Sequence, residues 1–279
     1  MRSNEPITPD EPVWDKQLLI APHRAADKAR RVRAMFEAIA PSYERVNTIF
    51  SGGRDAVWRR AAVRLARVGR DDTVLDIACG TGDFARVFAA AGASRVVGCD
   101  FAHQMLVLAA CGVRQRSSLR GRRRSSSSRP AELDANGRPA STLRWCEADA
   151  LRLPFQDGSF SIAACAFGVR NFQDLAAGFS EMHRVLRPGG RVVILEFSRP
   201  ANRLAGLAYE VYSTKIMPLA ASWLSGDRSG AYRYLPRSVL SFYSAEQMCA
   251  RLGQAGFTDA TATPLTFGVV TVYVARRGR

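Results

Sequence analysis

The stretch TVLDIACGTGDFA at 73–85 constrains the fold of this 279-residue chain more than any other. An apolar, branched run leads into Gly80-Thr81-Gly82, and a helical pattern starts directly after it. Glycines at a strand-to-helix turn let the backbone turn tightly and let a ligand approach it closely. The next strand-like run, RVVGCD (95–100), closes on Asp100. At the carboxyl edge of a parallel sheet such an acid can accept two hydrogen bonds from a ribose diol. A tight turn without a ligand would explain the glycines taken alone. The strand before, the helix after and the acid at the second strand end together point to a nucleotide-containing ligand.

The same alternation continues along the chain. LRWCEA (143–148), SIAACAF (161–167) and RVVILEF (191–197) are short and apolar, as strands buried on both faces should be. Helical patterns lie between the strands at 83–90, 102–110 and 174–187, and two more occupy 26–68. Beyond 197 the spacing predicts helices at 204–221 and near 244–255. Two strands follow, 257–263 and 267–275, joined by a turn around Pro264. Pro188-Gly189-Gly190 reads as a helix stop and turn. The expected fold is α/β and Rossmann-like, a mostly parallel seven-stranded sheet with helices on both faces and a C-terminal antiparallel hairpin. Residues 1–25 read as a flexible tail and 26–279 as a single domain.

Charge is concentrated in one place. The chain carries +15, with only three lysines (Lys16, Lys28, Lys215) among its 40 basic residues. Residues 112–142 are rich in Arg and Ser, nearly devoid of apolar side chains and without period. Such a segment cannot bury enough surface to offset its ordering entropy, so a disordered insertion is expected there. A basic protein can bind nucleic acid or an anionic membrane surface. The insertion lacks the interleaved aromatics that stack bases, which argues against nucleic acid. No 18-residue apolar window predicts a membrane span, and the polar N-terminal stretch does not read as a secretory signal. The six dispersed cysteines and three histidines predict neither a disulfide framework nor a metal site, and a reducing cytoplasm is the expected location.

Two features favour S-adenosylmethionine over a dinucleotide. Asp76 sits inside the first strand, where its carboxylate can reach the loop or a ligand ammonium group through water. No second glycine-rich turn follows to hold a pyrophosphate. Asp149-Ala150, after the third strand, would meet the adenine; a helix cap or turn is the plainer role for Asp149.

Longer stretches carry a more specific resemblance. They are FEAIAPSYERVNTIFSGGRDAVWRR (36–60), VLDIACGTGD (74–83), ADALRLPFQDGSF (148–160), AFGVRNFQD (166–174), RVLRPGGRVVILEFSRP (184–200) and YRYLPRSVLSFYSAEQM (232–248). Through them the chain resembles the ubiquinone/menaquinone biosynthesis C-methyltransferases, which are class I S-adenosylmethionine-dependent enzymes. The resemblance covers nearly everything from about residue 34 onward except the insertion. It implies C-methylation of a prenylated quinol, most directly demethylmenaquinol to menaquinol. The alternatives are the ubiquinone-pathway acceptor or another lipid-like acceptor. An arginine-rich RNA-binding protein and a nicotinamide dehydrogenase are weaker readings. Cofactor contacts are expected from Asp76, Gly80, Thr81, Gly82, Asp100, Asp149, Ala150 and Ala166. Family members often have serine at the last of these positions.

Attack by a ring carbon on a sulfonium methyl group is easiest from the phenolate, whose formation at pH 7 costs about 4 kcal/mol when judged from tyrosine. Arg170 and Asn171, just past the fourth strand, are the candidate groups beside that oxygen. Arginine does not accept protons at its ordinary pKa, so Arg170 is assigned to electrostatic stabilisation or to activating a water. A salt bridge is its plainer role. Tyr43 and Asn47, on the N-terminal lid helices, could cover the site, and Glu196 ends the fifth strand toward the same crevice. The apolar stretch 204–224 could receive the isoprenoid tail or lie on a membrane surface. A peripheral membrane contact fits such a substrate, and a homodimer is compatible with the sequence.

Overall fold

The computed structural model describes residues 13–14, 17–120, 142–200 and 230–279, with the side chains of 41–50, 113–120 and Tyr232 outside that description. Seven strands form one sheet: β1 (Thr73–Ile77), β2 (Arg95–Asp100), β3 (Thr142–Glu147), β4 (Phe160–Ala166), β5 (Leu186–Phe197), β6 (Phe257–Leu265) and β7 (Val270–Arg277). Their order is β3-β2-β1-β4-β5-β7-β6. The first five strands pair in parallel, whereas β7 is antiparallel to both β5 and β6. The chain order reverses direction between β1 and β4, which places the topological switch point of the sheet there.

Side-chain alternation sends each strand's apolar residues to both faces. Val74, Val96, Ile162, Ala164, Val193 and Leu195 pack against α2 (Arg54–Leu65) and α3 (Asp83–Ala90). Leu75, Ile77, Val97, Ala163, Val192 and Ile194 lie on the opposite face, with Phe179 and Met182 of α5 (Leu175–Val185). Met248 and Leu252 of α7 (Ala245–Gln254) complete that layer. Asp174 caps α5 by accepting from the amides of Ala176 and Ala177. Ser244 and Gln247 form a reciprocal capping box on α7.

Two helices lie outside this sandwich. In α1 (Lys28–Phe50), Val32, Met35 and Ile39 join Ala231 and Tyr234 of α6 (Ala231–Leu240) in a separate buried cluster. Val13 and Trp14 belong to the same cluster, and the Trp14 indole stacks on Tyr234 at 4.2 Å. The stretch read as a flexible tail therefore contributes core here, because its few apolar residues find an aromatic partner 220 positions later.

Three boundaries differ from expectation. The fourth helix, α4 (His103–Arg120), runs on into the segment read as an insertion; positions 121–141 lie outside the described residues. The expected turn at Pro188-Gly189-Gly190 falls inside β5 as an irregularity, where Phe160 pairs with Leu186 and Ile162 with Arg191. Gly189 supplies the positive φ of 74° that the detour requires. Pro264 is not at the hairpin turn but in β6, opposite Thr271. A proline is tolerated there because β6 is the sheet edge. The expected helix at 204–221 lies outside the described residues. Among those residues, no helix is long and apolar enough to cross a membrane.

Candidate active site

A cavity opens at the switch point, on the carboxyl edge of the parallel strands. Its wall contains Ala78 and Gly80 from the β1–α3 turn, Asp100 and Phe101 after β2, Asp149 and Ala150 after β3, and Ala166 to Gly168 with Asn171 after β4. A smaller cavity shares Ala78, Gly80, Ala166 and Phe167 with it and reaches under the loop to Asp76, Thr81 and Arg59. The carboxyl ends of four parallel strands thus converge on one cavity.

Backbone geometry at the two central strand ends is unusual. Ala78 and Phe167, following β1 and β4, have φ of 53° and 59° although neither is glycine. Non-glycine residues held in this region store strain of order 1–3 kcal/mol, and such strain concentrates at ligand sites. Gly80, with φ of 53°, has no atom within 4 Å of the position a Cβ would take, so conformation and not crowding selects glycine there. Gly82 differs. A Cβ there would lie 2.2 Å from the Trp145 ring. Gly82 does not line either cavity. It is the positive-φ residue before α3, and its missing side chain admits Trp145.

The acids are arranged for different tasks. Asp100 Oδ2 accepts from the Gly80 amide at 2.8 Å and Oδ1 from the Ala102 amide at 2.9 Å. Burial raises the Asp100 carboxyl to about 6 against these backbone donors. Asp149 Oδ1 accepts from the Leu151 amide, so the turn role and a place on the cavity wall coexist. Thr81 is buried and its hydroxyl points to Asp83 at 3.4 Å.

Asp76 is the exception. It is fully buried, and neither carboxylate oxygen has a hydrogen bond of normal geometry. Burial pushes its pKa to about 8, with the Ala85 amide and Arg59 offsetting only part of that rise. A buried carboxylate without a partner costs free energy unless something arrives to pair with it. A cationic group in the smaller cavity would do so, as the ammonium group of S-adenosylmethionine would. The Gly80 turn and the Asp100 acceptors fit the rest of such a ligand.

The residues after β4 depart most from expectation. Arg170 is 3% exposed and lines neither cavity. Its Nη1 donates to Glu196 Oε1 at 2.6 Å and to the Phe167 carbonyl at 2.7 Å, and its Nε donates to Ser238 at 3.3 Å. The assignment of Arg170 as a cation beside substrate is therefore corrected, because its charge is already met by Glu196 inside the protein. Glu196, expected at the crevice, is 1% exposed and pairs with Arg170 instead. Asn171 does reach the cavity. The Tyr234 hydroxyl donates to its Oδ1 at 2.9 Å, which leaves Nδ2 with a single 3.5 Å contact to the Phe167 carbonyl. Tyr43 and Asn47 fall on α1, and their side chains lie outside the described residues.

Several wall residues escaped sequence reasoning. Val32 and Phe36 of α1 and Phe172 with Gln173 close the cavity from above. Gln173 fastens that roof, accepting from the Ala29 amide and donating to the Ala25 carbonyl. Lys28 adds a buried bond to the Phe172 carbonyl at 2.6 Å, and burial lowers its pKa to about 8. The signal was the apolar spacing of ARRVRAMFEAIA, which marks a buried face without saying what it covers.

A family model described as "ubiE/COQ5 methyltransferase family" matches residues 24–277. The demethylmenaquinone methyltransferase of Deinococcus radiodurans is 40% identical over 264 residues, 94% of this chain and 95% of its own length. The ubiquinone/menaquinone biosynthesis C-methyltransferase UbiE of Geobacter sulfurreducens is 39% identical over 94% of each chain. In three dimensions the chain is similar to a SAM-dependent methyltransferase from Aquifex aeolicus. The TM-score is 0.55 at 12% identity, covering 84% of this chain and 97% of the other, a likeness of fold.

Proposed function

The chain belongs to the ubiE/COQ5 methyltransferase family, and from that premise we propose that it methylates a ring carbon of a prenylated quinol, demethylmenaquinol in the first instance. The observation that carries the cofactor assignment is Asp76, a buried carboxyl group without a hydrogen bond of normal geometry beneath a positive-φ glycine turn. S-adenosylmethionine supplies the electrophilic methyl group that the ring carbon attacks. Asp100 binds the ribose diol while holding the Gly80 turn through its backbone bond. Asp76 holds the ammonium group. Asp149 and Ala150 border the adenine.

The chain's work on the acceptor is positional. Asn171, fixed by Tyr234, offers its amide as a donor to the quinol oxygen, which favours the ionised ring. Arg170 holds the Phe167 carbonyl and so fixes the 166–171 turn, acting as a positioning residue. Phe36, Phe101 and Phe172 supply an apolar wall that excludes water from the transfer.

The test incubates the protein with labelled S-adenosylmethionine and reduced short-tail demethylmenaquinol, or the ubiquinone-pathway precursor, and identifies the product by mass spectrometry. Label on the ring carbon of the naphthoquinol is expected. Binding of the cofactor with no transfer to either quinol would overturn the substrate assignment. A second expected result concerns Asp100→Ala. It loses a charge-assisted contact and a loop anchor, and weakens S-adenosylmethionine binding by about 1.5–3 kcal/mol in a titration calorimeter. Unchanged affinity in a folded variant would remove Asp100 from the site.

A further inference from the structure

The turn between β6 and β7 exposes an aromatic side chain that no fold requirement explains. Phe267 is 90% exposed, and its φ of 57° follows a φ of 47° at Thr266. Two successive non-glycine residues in the left-handed region are strained, and here the strain presents a phenyl ring to solvent. β7 runs antiparallel to β5 with Phe197 opposite Val270, so the turn lies on the same sheet edge as the candidate active site.

α2 meets that turn. The Trp58 indole N–H donates to Thr266 Oγ1 at 2.8 Å. Trp58 also touches Phe167 and Phe197, whose rings lie 4.5 Å apart, and Phe167 is a cavity wall residue. Buried aromatic packing therefore connects the cavity wall to the base of the turn. On the solvent side of α2, Val57 is 46% exposed. Arg54 and Arg60 flank it, both exposed and with no ion pair among the described residues. An exposed aromatic ring on a turn held by α2, with an exposed valine and two arginines on that helix's solvent side, matches a surface of anionic lipid, with apolar groups below the headgroups and cations among the phosphates.

We infer that the β6–β7 turn and the N-terminal half of α2 form the surface by which the protein docks on an anionic bilayer, Phe267 entering the headgroup layer. The inference rests on the proposed prenylated acceptor for its purpose, since such a substrate resides in a bilayer.

The experiment is co-sedimentation of the full chain with vesicles of phosphatidylcholine alone or mixed equally with phosphatidylglycerol. Wild type is expected to bind the mixed vesicles, less so as salt rises. Phe267→Asn, which keeps a residue tolerant of the left-handed turn, is expected to reduce partitioning by roughly tenfold, and Phe267→Trp to retain it. The double substitution Arg54→Gln/Arg60→Gln is expected to lower it by roughly tenfold or more and flatten the salt dependence. Turnover on a soluble short-tail quinol should stay unchanged in all three, and this separates failure of docking from failure of the proposed reaction. Equal binding by wild type and Phe267→Asn would overturn the inference. So would a wild type that ignores anionic vesicles, or a dimer in light scattering that Phe267→Asn dissociates, which would make this face a contact between copies.

Discussion

Asp76→Asn is expected to stabilise the ligand-free protein at neutral pH while sharply weakening S-adenosylmethionine binding. Burial raises the Asp76 carboxyl from its ordinary value to about 8. Between about pH 4 and 8 the folded state therefore keeps a proton that the unfolded chain has lost. Protons bound in excess by the folded state make stability fall as pH rises through that window. Below it both states are protonated and the penalty vanishes. Asparagine carries no charge, so the stability gap between variant and wild type should open from pH 4 upward and reach the order of a few kcal/mol near pH 8. Asp100, raised to about 6, imposes a smaller decline of the same sign on both proteins. A bound ammonium group reverses the energetics, since it favours the ionised carboxylate. Wild-type affinity should then rise with pH toward 8, and the variant's should be lower and flat. Thermal unfolding from pH 4 to 8.5 with parallel titration calorimetry checks both limbs. Parallel unfolding curves for the two proteins would mean that Asp76 is already ionised before ligand arrives.

Much of this site could be read from the sequence because its parts are local. The β1 strand, the Gly80 turn and Asp100 occupy one short stretch, and each obeys a rule of backbone conformation or strand order. Strands β1, β2, β4 and β5 were legible because residues buried on both faces form continuous apolar runs, whereas β3 lies half-exposed at the sheet edge and not buried on both faces as its run LRWCEA suggests. Distant pairings were not legible. Arg170 and Glu196 were each singled out, one as a cation for substrate and one as a crevice carboxylate. Their contact depends on β4 lying beside β5 and on the turn after β4 folding back. A second reason for glycine at position 82 is invisible without its neighbour, here Trp145 on β3 two strands away from β1. Nor does apolar spacing in α1 state that Phe36 roofs a cavity rather than packing into core. Patterns report burial; only tertiary contact reports against what.

The pairing of Arg170 with Glu196 changes what its removal should do. Both side chains are almost wholly buried, and Glu196 also accepts from the Phe197 amide at 2.8 Å. Burial raises the Glu196 carboxyl, and Arg170 works against that rise. Arg170→Met leaves an uncompensated buried carboxylate, and losses of about 3–5 kcal/mol are typical of such breaks. The variant is expected to unfold well below wild type and to lose turnover through the 166–171 turn. The pH dependence separates this role from that of a cation at the substrate oxygen. Without Arg170, Glu196 should hold its proton to higher pH in the folded state than in the unfolded one. Stability of the variant then falls as pH rises above the ordinary glutamate range, and its deficit shrinks on acidification toward pH 5. A cation needed to form the phenolate would give the opposite result, with turnover recovering at high pH as the quinol ionises unaided. Adding Glu196→Gln removes the stranded charge and should restore most of the lost stability. Arg170→Lys should fall between, since an ammonium group cannot reproduce the guanidinium's simultaneous bonds to Glu196, Phe167 and Ser238. Thermal melts of the four proteins from pH 5 to 9, beside pH–rate profiles on reduced short-tail quinol, decide it. A stable Arg170→Met variant whose turnover returns only at high pH would put Arg170 back beside the substrate.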